Sequence, residues 1–159
     1  MRITRSPFST VVVPMVLLVV SLPAACSDSG APSGATEAPR GRLDIAYFPD
    51  PAVGAPAPGG SPGFVTRVEM RIREMGGVGV RLTQLQVGVS TDPSSTQVLG
   101  TDEIVARGGS DRVASRGLLV LQVEISYGTA DSFGDIQVVI EGMDDLGQPV
   151  DYTGGLPIR

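Results

Sequence analysis

No histidine occurs in the 159 residues, and the chain carries one cysteine, Cys26. Ser-His-Asp and Cys-His catalysis is therefore excluded, as is a histidine-ligated metal. Carboxylates remain, and hydrolysis by a carboxylate pair needs two acids facing one cleft. No spacing marks such a pair, so the chain reads as a non-enzyme without a cofactor. The densest acidic group is Glu141, Asp144, Asp145 and Asp151, which a hairpin turning at Asp145-Leu146-Gly147 would gather. That register sets Glu141 across from Asp151, a like-charge pair that costs stability unless neutralised. Calcium takes six to eight oxygens and could neutralise it. The spacing is not that of an EF-hand loop, however, and Asp-Asp-Leu-Gly is good turn chemistry in its own right. These four are metal candidates only in that limited sense.

Arginine supplies the second constellation. Arg67, Arg71 and Arg73 alternate along one segment, and Arg81 follows in the next. If the two segments pair as a hairpin, Arg71 lies opposite Arg81 and all four share an outward face. Such a face suits an anionic glycan, a lipid headgroup or an acidic envelope protein. The competing reading is a solvated sheet face balanced by Glu69 and Glu74.

Cys26 gains meaning from what precedes it. Arg2 and Arg5 are followed by an apolar run, Val11–Leu22, and then by small residues up to the cysteine. The run is too short for a bilayer span, which needs about 20 apolar residues, and has the layout of an export signal. The segment Leu22-Pro23-Ala24-Ala25-Cys26 resembles the lipobox of bacterial lipoproteins, in which the cysteine thiol receives diacylglycerol and the chain is cut just before it. Ala24 and Ala25 fit; Pro23 departs from the family, which usually has an aliphatic residue there. The resemblance implies an extracytoplasmic protein held to the cell membrane or outer membrane by acyl chains on Cys26. Ordinary signal cleavage leaving a free thiol, and an uncleaved N-terminal anchor, are the alternatives. A disulfide role does not suit a lone cysteine.

Removal of residues 1–25 takes away Arg2 and Arg5 and moves the formal charge from −5 to −7. Phosphate backbones repel such a surface, so nucleic acid is excluded as a partner. Lysine, asparagine and tryptophan are absent, which fits a GC-rich coding background. Residues 26–41 read as the modified cysteine and a flexible linker. Ser27–Gly41 has no apolar side chain larger than alanine, and ordering it would cost on the order of 15–30 kcal/mol of backbone entropy. As a coil it would span about 20 Å.

The elements that must position these residues lie in 42–159. Phe64, Val68, Met70 and Ile72 alternate with Arg67, Glu69, Arg71 and Arg73, and the same period of two runs through Leu119–Tyr127 and Ile136–Ile140. Alternation of this kind makes strands with one buried and one wet face. With Leu43–Phe48, Val78–Val89, a less regular Thr96–Arg107 and Val150–Leu156, the count reaches about seven, as in an immunoglobulin-like sandwich. No helical period is sustained, and Pro49–Gly63 reads as an irregular loop. In Val78–Val89 the apolar phase slips from even to odd positions, which a bulge at Thr83–Gln84 repairs. Parity requires odd loops after Glu74 and after Asp144, and Met75-Gly76-Gly77 and Asp145-Leu146-Gly147 supply three residues each. The first of these connections joins either a hairpin or a crossover between sheets.

Glu74-Met-Gly-Gly-Val-Gly-Val-Arg-Leu82 and Gly142-Met-Asp-Asp-Leu-Gly147 resemble the strand and turn pattern of bacterial immunoglobulin-like and fibronectin-III-like extracytoplasmic domains. The resemblance spans roughly Leu43–Ile158 and implies a single all-β sandwich without a particular activity. The functional expectation is an envelope-anchored lipoprotein that presents a small sandwich as a binding or structural module. The alternative is an accessory subunit of a larger envelope transport or assembly complex.

Overall fold

A computed structural model describes residues 38–128 and 134–159. Cys26, the expected export signal and the expected linker up to Glu37 lie outside the described residues.

Among the described residues nine strands and one α-helix follow in order: β1 Leu43–Phe48, β2 Gly54–Pro56, β3 Phe64–Glu74, β4 Val80–Val89, β5 Asp92–Gly100, α1 Thr101–Gly108, β6 Arg112–Val113, β7 Leu118–Tyr127, β8 Asp135–Asp144 and β9 Pro149–Pro157, with a single 3-10 turn at Pro58–Gly60 between β2 and β3. They build an all-β sandwich of two antiparallel sheets. In one sheet β3 is central, with β7 on one side and β1 and β2 in line on the other. The other runs β5-β4-β8-β9, with the short β6 also on β4. The alternation seen in the sequence is the burial pattern. Val68, Met70 and Ile72 of β3 pair Val123, Leu121 and Leu119 of β7 in register and turn inward onto Leu85, Val87, Ile136, Val138 and Ile140 of the second sheet.

The connection after β3 is the crossover, not the hairpin. Both sides of β3 are already hydrogen-bonded, to β1 and to β7, so β4 has no edge left to join and passes to the other sheet. The second parity argument holds as a hairpin. Ile140 pairs Tyr152, Glu141 pairs Asp151, and the three-residue turn ends on Gly147 at φ 77°. The phase slip is a bulge as expected. Leu82 pairs Gly142 and Gln84 pairs Glu141, leaving Thr83 as the extra residue. Val80, Leu82, Leu85, Val87 and Val89 are all buried as a result.

Two expectations fail. Thr96–Arg107 is not a strand: β5 ends at Gly100 and α1 occupies Thr101–Gly108. The Glu103 carboxylate accepts from the Gly100 N–H at 2.9 Å, Gly109 at φ 76° closes the last turn onto the Val105 carbonyl, and Ile104 is the one side chain of the helix driven into the core. Pro49–Gly63 is not wholly irregular either. Gly54–Pro56 pairs with β3, and Ala52 is fully buried and bridges Ile158 in parallel. The Ala52 and Gly54 N–H groups donate to the carbonyls of Pro157 and Arg159, which fastens the end of β9.

Candidate functional site

The outer face of the three-stranded layer β1-β3-β7 carries the arginines singled out in the sequence, but only three of the four. Arg67, Arg71 and Arg73 point outward from β3, opposite Glu124, Val120 and Leu118 of β7. Arg81 belongs to β4 in the other sheet, where it pairs Met143 and Arg112 in register and lies 3.7 Å from Asp111. The outer faces of the two sheets point away from each other, so the proposed adjacency of Arg71 and Arg81 does not exist. The crossover after β3 is the reason.

The remaining face is mixed rather than basic. Arg67 Nε lies 2.7 Å from a Glu124 oxygen, and Arg71 Nε lies 2.8 Å from Glu69. The Arg71 guanidinium also sits 4.2 Å above the centre of the Phe48 ring. Phe48, Val120 and Leu118 stay 38–51% exposed. A groove of about 650 Å³ crosses this face, lined by Phe48, Arg67, Glu69, Gln122 and Glu124 and bounded on the β7 side by Arg107 of α1. Each carboxylate in the groove is already held by an arginine. Arg107 makes no ion pair among the described residues. Arg107 and the Gln122 amide can therefore receive an acceptor, with the Phe48 ring offering an apolar contact.

The acidic quartet does not converge. Glu141 and Asp151 oppose each other on the outer face of the second sheet, both exposed. Asp144 faces the other way and is buried, its oxygens accepting from the N–H groups of Gly41, Leu146 and Gln148 at 2.9 Å. Asp145 is bound to Arg112 at 2.6 Å. Among the described residues no group of three or more ligand side chains could hold a cation. Strand alternation separates residues that look contiguous in the sequence.

Glu74, a balancing charge of the solvated sheet face by sequence, is instead 1% exposed. Its carboxylate collects four backbone N–H donors, those of Arg42, Gly76, Gly77 and Arg116. Burial alone would raise its pKa; the four donors outweigh that and hold it below the usual carboxylate range. Asp144 is lowered in the same way by the donors from Gly41, Gln148 and Leu146, against the opposing effect of burial. Together the two carboxylates pin the start of β1, so Gly41, placed in the linker by its composition, belongs to the fold. A side chain is forbidden at Gly76, where a Cβ would come 1.8 Å from the Arg40 carbonyl oxygen. Parity was the available signal: Glu74 sits in phase with Met70 and Ile72.

No protein-family model matches the chain, and no curated protein matches it. Among solved structures it is similar to the X-ray structure of the Northeast Structural Genomics Consortium target SoR45, with 11% identity, a TM-score of 0.43, and coverage of 74% of this chain and 82% of that one.

Proposed function

We propose that this is a lipid-anchored extracytoplasmic lipoprotein whose immunoglobulin-like sandwich binds a partner across the outer face of β1-β3-β7. The anchoring half rests on the basic start, the apolar run and the small residues leading to Cys26. The immunoglobulin-like assignment is supported by the strand order, in which β1, β3 and β7 share one sheet, β4, β8 and β9 share the other, and β3 and β7 are each followed by a crossing to the opposite sheet. The observation that carries the binding half is the groove itself: an exposed aromatic ring, an unpaired arginine and an amide around about 650 Å³. An accessory subunit of a larger envelope complex is the second reading, favoured by Leu118 and Val120, which extend the apolar surface along β7 beyond the groove.

Pull-down of the full chain from detergent-solubilised membranes tests the binding half. Wild type should retain a partner that Arg107→Glu with Phe48→Ala loses while Val120→Glu keeps it. Loss with Val120→Glu as well points to the subunit reading, and identical captures from all variants discard the face. Metabolic labelling with a clickable fatty acid tests the anchor separately. Wild type should label and Cys26→Ala should not; equal labelling of both sinks lipidation at Cys26.

A further inference from the structure

The end of the sandwich where the chain joins from Cys26 differs in charge from the opposite end. Four exposed arginines gather there. Arg42 and Arg116 supply backbone donors to Glu74, Arg73 precedes that residue in β3, and the Arg40 carbonyl packs on Gly76. Of the described acids at this end, Glu74 and Asp144 stay ionised but are buried under backbone donors, Asp145 is held by Arg112, and Asp44 lies exposed beside Arg73. Two large apolar side chains project from the turns of the same end, Met75 at 48% and Leu146 at 60% exposure. The far end carries Asp50, Asp92 and Asp135 against Arg159. In a chain of formal charge −5, this separation leaves exposed arginines at the tether end and acids at the far end.

We infer that this end is a membrane-docking surface, with Arg42, Arg73 and Arg116 meeting anionic lipid headgroups and Met75 and Leu146 entering the interfacial layer. The inference rests on the anchoring reading for its orientation. Between Cys26 and Ala38 the chain can span at most ~43 Å, and β3 alone makes the sandwich about 35 Å long. The tether exceeds the length of the sandwich, so an anchor at Cys26 brings the domain to the bilayer and the choice of end rests on the basic side chains, which gain from the negative surface potential, and on the apolar tips, which gain from burial. The acidic far end is then turned away, and the groove on the β1-β3-β7 face stays open to solvent at the side.

The test uses the lipidated full chain, whose Cys26 thiol is blocked as the acylated thioether, so that an introduced cysteine is the one free thiol. A fluorophore is placed at Met75→Cys or, at the far end, at Pro93→Cys, and the chain is reconstituted into phosphatidylcholine vesicles with or without phosphatidylglycerol. Quenching by a lipid-borne quencher should be severalfold stronger at position 75 than at 93 in anionic vesicles, and should fall to the neutral-vesicle level at high salt. Each arginine contributes roughly a fivefold preference for the anionic surface, so Arg42→Glu, Arg73→Glu and Arg116→Glu together should abolish the difference. These three side chains are exposed, and an unchanged circular-dichroism spectrum and melting temperature establish that the triple variant folds. Equal quenching at the two ends, or quenching indifferent to lipid charge, overturns the inference. Docking that appears only after Asp28→Asn and Glu37→Gln would show that the chain's own acids occupy the arginines, and would overturn it too. Fatty-acid labelling of the Cys26 chain scores the anchor independently: labelled chain without end-specific quenching defeats the docking surface alone, and the converse defeats lipidation alone.

Discussion

Glu74 shows how one carboxylate can organise a chain end. Four backbone donors converge on two oxygens in a site closed to water. Charge-assisted hydrogen bonds of this kind contribute more than neutral ones, and unpaired buried donors are costly. Glu74→Gln keeps the shape but turns one acceptor into a donor facing N–H groups, so it should destabilise the domain by about 2–3 kcal/mol in urea unfolding. Acid should act on the same site. Glu74 and Asp144 have pKa values lowered by folding, so the unfolded chain binds more protons than the native one as pH drops through the ordinary carboxylate range. Their contribution is complete above about pH 5 and is lost as pH falls through and below the unfolded values near 4. Melting temperature should therefore be flat from neutral pH to about 5 and then decline, and Glu74→Gln should decline less steeply. Parallel acid limbs for the two proteins would remove Glu74 from this account.

Elements with long alternation were legible from the residues. β1 and β3 have the expected limits, β7 and β8 follow their apolar phase, and the bulge at Thr83 was visible as a change of parity. What remained hidden depends on non-local pairing. Parity after Glu74 demanded an odd loop but could not say which edges of β3 would already be taken, and the fate of Arg71 and Arg81 turned on that. Helix α1 escaped because eight residues with one buried side chain, Ile104, carry almost no period. Its ends were nonetheless written in the sequence: Asp102 and Glu103 in the first turn, then Arg107 and paired glycines at the last. The acidic quartet divides by strand phase: Glu141 opposes Asp151 as the hairpin requires, whereas Asp144 lies an odd number of positions from Glu141 and faces the other way. Deleting Thr83 tests the bulge directly. Without it, Val80, Leu82, Leu85, Val87 and Val89 fall into one unbroken alternation opposite the same β8 partners, and the chain should keep its cooperative unfolding transition. Thr83→Ala removes only the 3.1 Å contact to the Glu141 carbonyl and should cost less than about 1 kcal/mol. A deletion variant that no longer unfolds cooperatively would mean that the bend at Thr83, and not apolar phase alone, holds β4 against β8.

At the scale of the whole molecule, the sandwich is closed by short segments that bridge its ends. Ala52 to Gly54 ties the end of β9, and the start of β1 is tied by Glu74 and Asp144. These bonds define where the folded unit begins, which composition placed at residue 42. The fragment 38–159 should fold alone, because its core residues from Ile45 to Ile158 pack among themselves in one cluster. Its circular dichroism should be dominated by strand, with a small helical part from α1. A fragment starting at Leu43 keeps every one of those apolar side chains but lacks the Gly41 and Arg42 N–H groups. If burial alone set the boundary, the two fragments would melt together. If the carboxylates need their donors, the shorter fragment should keep the same spectrum and melt about 5–10 °C lower, the shift expected when a charge-assisted bond to a buried carboxylate is lost from a domain of this size. The gap should close below about pH 4, where protonation of Glu74 and Asp144 weakens the pins in the longer fragment as well. A gap that persists unchanged in acid would trace the difference to chain ends rather than to the two carboxylates.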